Sequence, residues 1–171
     1  MHETARDLAT LQALLDASAA GAGAHMRSII TPERRLDAAA LCARLEGMTL
    51  LALATVTADG RPLVGAVDGV FYRGHFYFGS APDSIRFRHI RARPQVSATH
   101  LPGEHLQVTV HGRAVVIDHR SPEQAPFRAA LLDVYAPRHG REEFAAFIDG
   151  GPLYARIDAE RMFTCHVQPT S

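Results

Sequence analysis

Two serines and an arginine, Ser80, Ser84 and Arg86, sit close together in the segment "YFGSAPDSIRFRHIRARP". The chemistry such a set can do is anion binding. Hydroxyls donate, a guanidinium donates as a charged fork, and the first turn of a helix carries backbone N–H groups without intrahelical partners. Strand-like residues run up to Gly79, a turn passes through Ser80 and Pro82, and a helical stretch follows with Arg86, Arg88, Arg91 and Arg93. Either Asp83 or Ser84 can cap that helix. Arg86 then lies in its first turn, at the positive end of the macrodipole, where a cation is unfavourable by about 0.3–1 kcal/mol. An anion in front of the helix makes sense of the placement. Backbone N–H groups near Ser84 and Ile85, the two hydroxyls and Arg86 would converge on one phosphate. The alternative is that Arg86 pairs with Asp83, with Arg88 and Arg91 as a solvated face. Spacing alone leaves both open.

Other residues invite chemistry and carry less. The chain has ten histidines. His100 and His105 flank the turn "LPGE", but a metal site needs a third ligand, and none is indicated. They read as solvated hairpin residues, with an axial haem ligand as the alternative. Cys165 and His166 are adjacent on a strand and point to opposite faces, so they are expected to pack rather than react together. Asp68 interrupts an apolar strand. It is expected to be paired to an arginine, with exposure at a barrel edge or closeness to a cofactor as alternatives. Tyr77 and Phe78 are expected in the core, although they could wall a planar ligand.

Composition removes several function classes. Eighteen basic residues balance eighteen acidic ones, so no global field draws the chain to nucleic acid or a membrane. Every basic residue other than histidine is arginine. Cys42 and Cys165 form no CxxC pair and are expected to be reduced thiols of a cytoplasmic protein. The start "MHETARDLATLQALL" has neither the basic nor the apolar region of a signal peptide. No apolar run reaches the roughly 20 residues that span a bilayer. No GxGxxG follows a strand and no GxxxxGK[ST] occurs, so neither standard nucleotide loop is present.

The elements that must position the candidate residues follow from periodicity. Leu8, Leu11 and Leu15 predict a helix over 5–20, broken by "AAGAGAH". A second helix is expected from about Asp37 to Glu46, with Leu41 and Leu45 on one face. Strands are expected over 49–57, 63–72, 75–79, 95–101 and 105–118, separated by "ADGRP", "RG", the arginine helix and "PGE". Leu106, Val108 and Val110 alternate with Gln107, Thr109 and His111, the period of a half-buried strand. Gly112 marks a bulge or bend. "SPEQ" reads as a capping box with proline at the first helical position. "REEFAAFID" adds a short helix before Gly150 and Gly151, and "PLYARI" and "RMFTCHV" make one or two last strands. Sequential antiparallel strands with frequent turns favour a barrel or sandwich. Residues 1–46 are expected to form a helical extension on a barrel domain of residues 47–171.

The succession "LATVTADGRP", "FYFGSAPDSIRFRHIRARPQVS" and "QVTVHGRAVVID" resembles the pyridoxamine 5'-phosphate oxidase-like superfamily of FMN-binding split β-barrels. The likeness covers about residues 47–118 and is weaker toward the C-terminus. It implies a mainly β fold with flanking helices, a six-stranded antiparallel split barrel. It also implies an oxidoreductase that holds FMN at the interface of a homodimer and acts on a small molecule. By the resemblance, Gly79 and Ser80 form the turn after the third strand, and Ser84, Ile85 and Arg86 match the phosphate-gripping Ser-Arg-Lys. Gln107 matches a glutamine that reaches the cofactor. Gly65, Ala66 and Val67 match the backbone along which the flavin lies. The departures are specific. The oxidases carry arginine and lysine where this chain has Gly65 and Val70, and arginine where it has Ile85. Their C-terminal arginine–histidine substrate motif has no counterpart in "RIDAERMFTCHV". A true pyridoxamine phosphate oxidase is therefore not expected. The chain looks more like actinobacterial relatives, some of which use the deazaflavin coenzyme. A non-catalytic flavin or haem carrier is the further alternative.

Overall fold

A computed structural model describes residues 2–168. Six antiparallel strands close into a barrel: β1 (Met48–Val56), β2 (Pro62–Tyr72), β3 (His75–Ser80), β4 (Gln95–Gly103), β5 (Leu106–Ile117) and β6 (Leu153–His166). Their order around the barrel is β1-β2-β3-β6-β5-β4, with β4 returning to β1. Alternation makes the closure favourable. Leu51, Leu53, Phe76, Phe78, Val108, Val110 and Ile157 point inward and are buried, while their strand neighbours face out. The two hairpins before the arginine helix turn where expected. Arg73 and Gly74 both have positive φ, 48° and 80°, the conformation a two-residue hairpin needs to match strand twist.

Three helices precede the barrel: α1 (Ala5–Ala20), α2 (Ala24–Ile29) and α3 (Ala38–Arg44). Leu11, Leu15, Leu41 and Leu45 join the same apolar cluster as Leu51, Phe87 and Val108. Polar bonds fix the contact. Ser18 Oγ accepts from the Met162 N–H at 2.9 Å, and Thr164 Oγ1 accepts from the Leu36 N–H at 3.0 Å. Helix α2 was not expected. It buries no residue, so it left no apolar periodicity to read.

The arginine helix, α4 (Ile85–Ala92), lies between β3 and β4. Phe87 and Ile90 fix it to the core, and His89 Nδ1 bonds Thr55 Oγ1 of β1 at 2.9 Å. Two more helices, α5 (Ala125–His139) and α6 (Arg141–Gly150), connect β5 to β6 and cover the outer side of β2, β3 and β6. The expected capping box at Ser121 does not form. Pro122–Gln124 is a 3-10 turn without a side-chain cap bond to the backbone, and the α-helix starts at Ala125. Proline is tolerated best in the first turn of a helix, where its missing N–H costs no bond, and Pro126 occupies that turn.

The terminal residues form one strand, β6, with a bulge. His111 pairs with Arg161 and Gly112 with Ala159, which leaves Glu160 as the extra residue. A Cβ on Gly112 would lie 2.1 Å from the Asp158 carbonyl oxygen. Gly112→Ala should therefore destabilise the fold by roughly 2–3 kcal/mol, the scale of overpacking a close contact. Urea unfolding checks this. An unchanged midpoint would show that the bulge relaxes freely.

Candidate functional site

The turn after β3 and the start of α4 form one polar corner. Ser84 is the N-cap, and its Oγ accepts from the Phe87 N–H at 3.3 Å. The Arg88 N–H bonds the Ser84 carbonyl, so the N–H groups of Ile85 and Arg86 are the open donors of the first turn among the described residues. The side chain of Ile85 points to solvent, 49% exposed. Arg86 turns the other way. Its Nη1 donates to Ser80 Oγ at 3.3 Å and its Nη2 to the Ala66 carbonyl of β2 at 3.1 Å. The guanidinium lies over Gly65, where a Cβ would stand 3.3 Å from Nη2. One side chain thus ties the helix start to two of the expected segments, Gly65–Ala66 and Ser80.

The pairing of Arg86 with Asp83 does not occur, since the guanidinium spends its donors on Ser80 and Ala66. Among the described residues no carboxylate lies within ion-pair distance of Arg86. Burial holds its pKa below the ordinary arginine value. A half-buried guanidinium without a counter-charge is the donor set a phosphate would complete. The other arginines do different work. Arg91 Nη1 donates to the Pro82 carbonyl at 2.9 Å and Arg93 Nε to the Val56 carbonyl at 2.9 Å. Arg91 ties the helix to its entry turn and Arg93 ties it to β1 of the barrel. Arg88 is exposed.

The remaining expected residues fall on either side of this corner. Val67 buries its side chain in the core, so only its backbone is offered. Gly79 precedes Ser80 on β3, and the Tyr154 ring fills the space where its Cβ would be, 2.9 Å away. Gln107 is not brought to the corner. It stands exposed on β5, separated from β2 by β1 and β4, about 14 Å at ordinary strand spacing. His100 Nδ1 bonds the Leu50 carbonyl at 2.9 Å, a contact between β4 and β1 where the barrel closes. Cys165 is a buried free thiol and Cys42 likewise, with burial pushing the Cys42 thiol up to about 12. The arginine partner expected for Asp68 is absent among the described residues: Asp68 is exposed and lines a cavity.

That cavity, about 940 Å³, lies beside the corner and shares Gly79, Ser80, Ala81 and Pro82 with it. Tyr135, Phe144 and Phe147 of α5 and α6 supply the far wall. Sequence reasoning missed these residues. Helical periodicity shows that a face is apolar, but not which strands it will stand over.

The sequence profile of the family described as Pyridoxamine 5'-phosphate oxidase matches residues 38–163. Curated proteins give no match. Among solved structures, a conserved hypothetical protein from Mycobacterium tuberculosis has a TM-score of 0.64 at 17% identity, covering 82% of this chain and 94% of that one. A FAD-binding protein from Mesorhizobium loti has a TM-score of 0.57 at 20% identity, covering 80% and 97%. HutZ, the heme storage protein from Vibrio cholerae, has a TM-score of 0.56 at 22% identity, covering 77% and 95%. At these identities the likeness shows the fold.

The corner makes a prediction that needs no cofactor. Pyrophosphate at ten times its dissociation constant should stabilise the protein by about 1.4 kcal/mol, read as a rise in the thermal midpoint. Arg86→Ala should remove most of that rise. Arg91→Ala should leave it, because Arg91 lies about 140° round the helix from Arg86. An equal loss in both variants would make the helix a diffuse basic surface instead.

Proposed function

The chain belongs to the pyridoxamine 5'-phosphate oxidase family, and from that premise we propose that it is a flavin-dependent oxidoreductase that binds FMN through its phosphate at the Ser80–Arg86 corner. The observation that carries the reading is the Arg86 guanidinium, half-buried, without a carboxylate, and joined to Ser80 and Ala66. Ser80, Ser84, Arg86 and the open N–H groups of Ile85 and Arg86 would hold the phosphate. Gly65, Ala66 and Val67 offer strand backbone for the planar ring. The bound flavin would supply the hydride or electron chemistry, with the protein orienting it and setting the local charge. This division suits a corner without a neighbouring acid–base pair among the described residues.

A deazaflavin coenzyme is the second reading. Arg88 favours it, because this exposed cation on the same helix is available to a longer anionic tail. Haem has less support, since the corner offers a phosphate-type donor set rather than an imidazole.

We also propose a homodimer. Leu50, Val64 and Leu101 are 56%, 64% and 58% exposed on the outward sides of β1, β2 and β4. Ala52, Ala66 and Thr99 lie between them in one cross-strand row. An apolar strip of this kind on adjacent strands marks an interaction surface. A second subunit there would cover the strand along which the flavin lies and bring Gln107 of one protomer or the other near it.

Visible absorption of the purified protein after cofactor add-back tests the cofactor. FMN gives two visible bands, the deazaflavin one near-violet band and haem a Soret band. The two-banded spectrum is expected, and a Soret band alone would refute the flavin. Sedimentation of the same loaded sample should give twice the monomer mass. A stable, cofactor-loaded monomer would sink the dimer.

A further inference from the structure

The cavity beside the corner has a charge pattern that the flavin reading does not use. It lies between the outer side of β2 and β3 and the pair α5–α6. Its walls are aromatic, with Tyr77, Tyr135, Phe144, Phe147 and Tyr154. Its floor includes Gly69 and Gly79, where a Cβ would lie 2.8 Å from the Tyr77 carbonyl and 2.9 Å from the Tyr154 ring. A Cβ on Gly69 would also meet Leu51 of the barrel core at 2.9 Å, and the Tyr154 ring takes the place of a Gly79 side chain, so neither glycine puts a side chain of its own into the cavity.

The ionisable residues on this lining are Asp68, Glu143, His139 and the tyrosines; no arginine contributes. Burial pushes the Tyr154 hydroxyl up to about 12, and burial followed by the Asp68 charge raises Tyr135. All three tyrosines of the lining are thus neutral at pH 7. Glu143 stands in the first turn of α6 beside Gly140, where the helix N-terminus offsets its charge. Asp68 has no such account. It is exposed on β2, directly after the Gly65–Val67 segment, opposite Leu50 of β1. It forms no hydrogen bond or ion pair among the described residues, although eighteen arginines were available to the fold.

We propose that this cavity binds a planar, positively charged aromatic or heteroaromatic molecule, with its ring among the aromatic walls and its cation at Asp68. A ring cation gains twice, from the faces of the aromatic side chains and from the unpaired carboxylate. An anionic ring of the same size meets the like charge of Asp68; the nearest guanidinium groups, Arg86 behind Ser80 and Arg156 behind Tyr77, are already bonded to Ser80 and Ala66 and to Asp158. As the place of a substrate the cavity rests on the flavin reading, because it shares Ser80–Pro82 with the phosphate corner; as a binding cavity it does not.

Calorimetric titration of the full chain with two dyes tests this. Thioflavin T is a planar cation, and 8-anilinonaphthalene-1-sulfonate is an aromatic anion. Thioflavin T should bind at least tenfold more tightly. Asp68→Asn, an exposed near-isosteric change, should weaken thioflavin T at least fivefold and leave the sulfonate unchanged or tighter. Ala146→Trp, which fills part of the cavity from α6, should weaken thioflavin T and so place the binding here rather than on the exposed apolar strip. Arg86→Ala should lose FMN and keep the dye preference. Equal affinity for the two dyes, or a preference that survives Asp68→Asn, overturns the inference whatever happens to FMN. Loss of FMN binding by the unaltered protein with the dye preference intact overturns the flavin reading alone.

Discussion

A guanidinium withdrawn from water without a carboxylate beside it carries a desolvation cost, and the corner after the third strand is arranged around that cost. Arg86 meets part of it with the Ala66 carbonyl and the Ser80 hydroxyl. The contacts are neutral acceptors, which leave the positive charge uncompensated. Two further features depend on this arrangement. A Cβ on Gly65 would stand 3.3 Å from Nη2, so glycine there gives the guanidinium room to lie over β2. Ser84 must cap α4 so that Arg86 enters the first turn facing the barrel, while Ile85 faces out. Charge, helix start and strand backbone are therefore one construction.

The barrel makes that construction rigid. β2 and β3 form a short hairpin through Arg73 and Gly74, so Ala66 and Ser80 are carried on paired neighbouring strands. Helix α4 is fixed from three directions: Phe87 and Ile90 in the core, His89 on Thr55, and Arg93 on Val56. Arg91 ties the helix back to its own entry turn at Pro82. Sites held on strands and a packed helix keep their geometry better than sites on free loops. Three arginines of the helix thus have separate tasks, one facing the site and two bracing it.

Much of this was legible in the chain. The alternation of Leu106, Val108 and Val110 identified β5, the serine–arginine spacing identified the corner, and Gly112 marked the bulge that β6 requires. These signals are local, and local periodicity or turn chemistry is enough to read them. What was not legible depends on which elements meet. Asp68 was expected to find an arginine, but its neighbours are set by α5 and α6, more than sixty residues further on. The aromatic wall of the cavity was invisible for the same reason. The cap at Ser121 failed, and the α-helix begins instead with a second proline, four residues beyond Pro122, in its first turn. Gln107 matches a family position on β5, which is separated from β2 by β4 and β1 within one chain, so its match rests on the resemblance alone.

The central claim is that the cofactor is held chiefly through its phosphate at Arg86. Parallel titrations of the cofactor-free protein with FMN and with riboflavin address it most directly, because the two ligands differ only in that phosphate. The account predicts that riboflavin binds at least tenfold more weakly, a loss of about 1.4 kcal/mol or more. Equal affinities would contradict it and leave the Arg86 corner without a ligand.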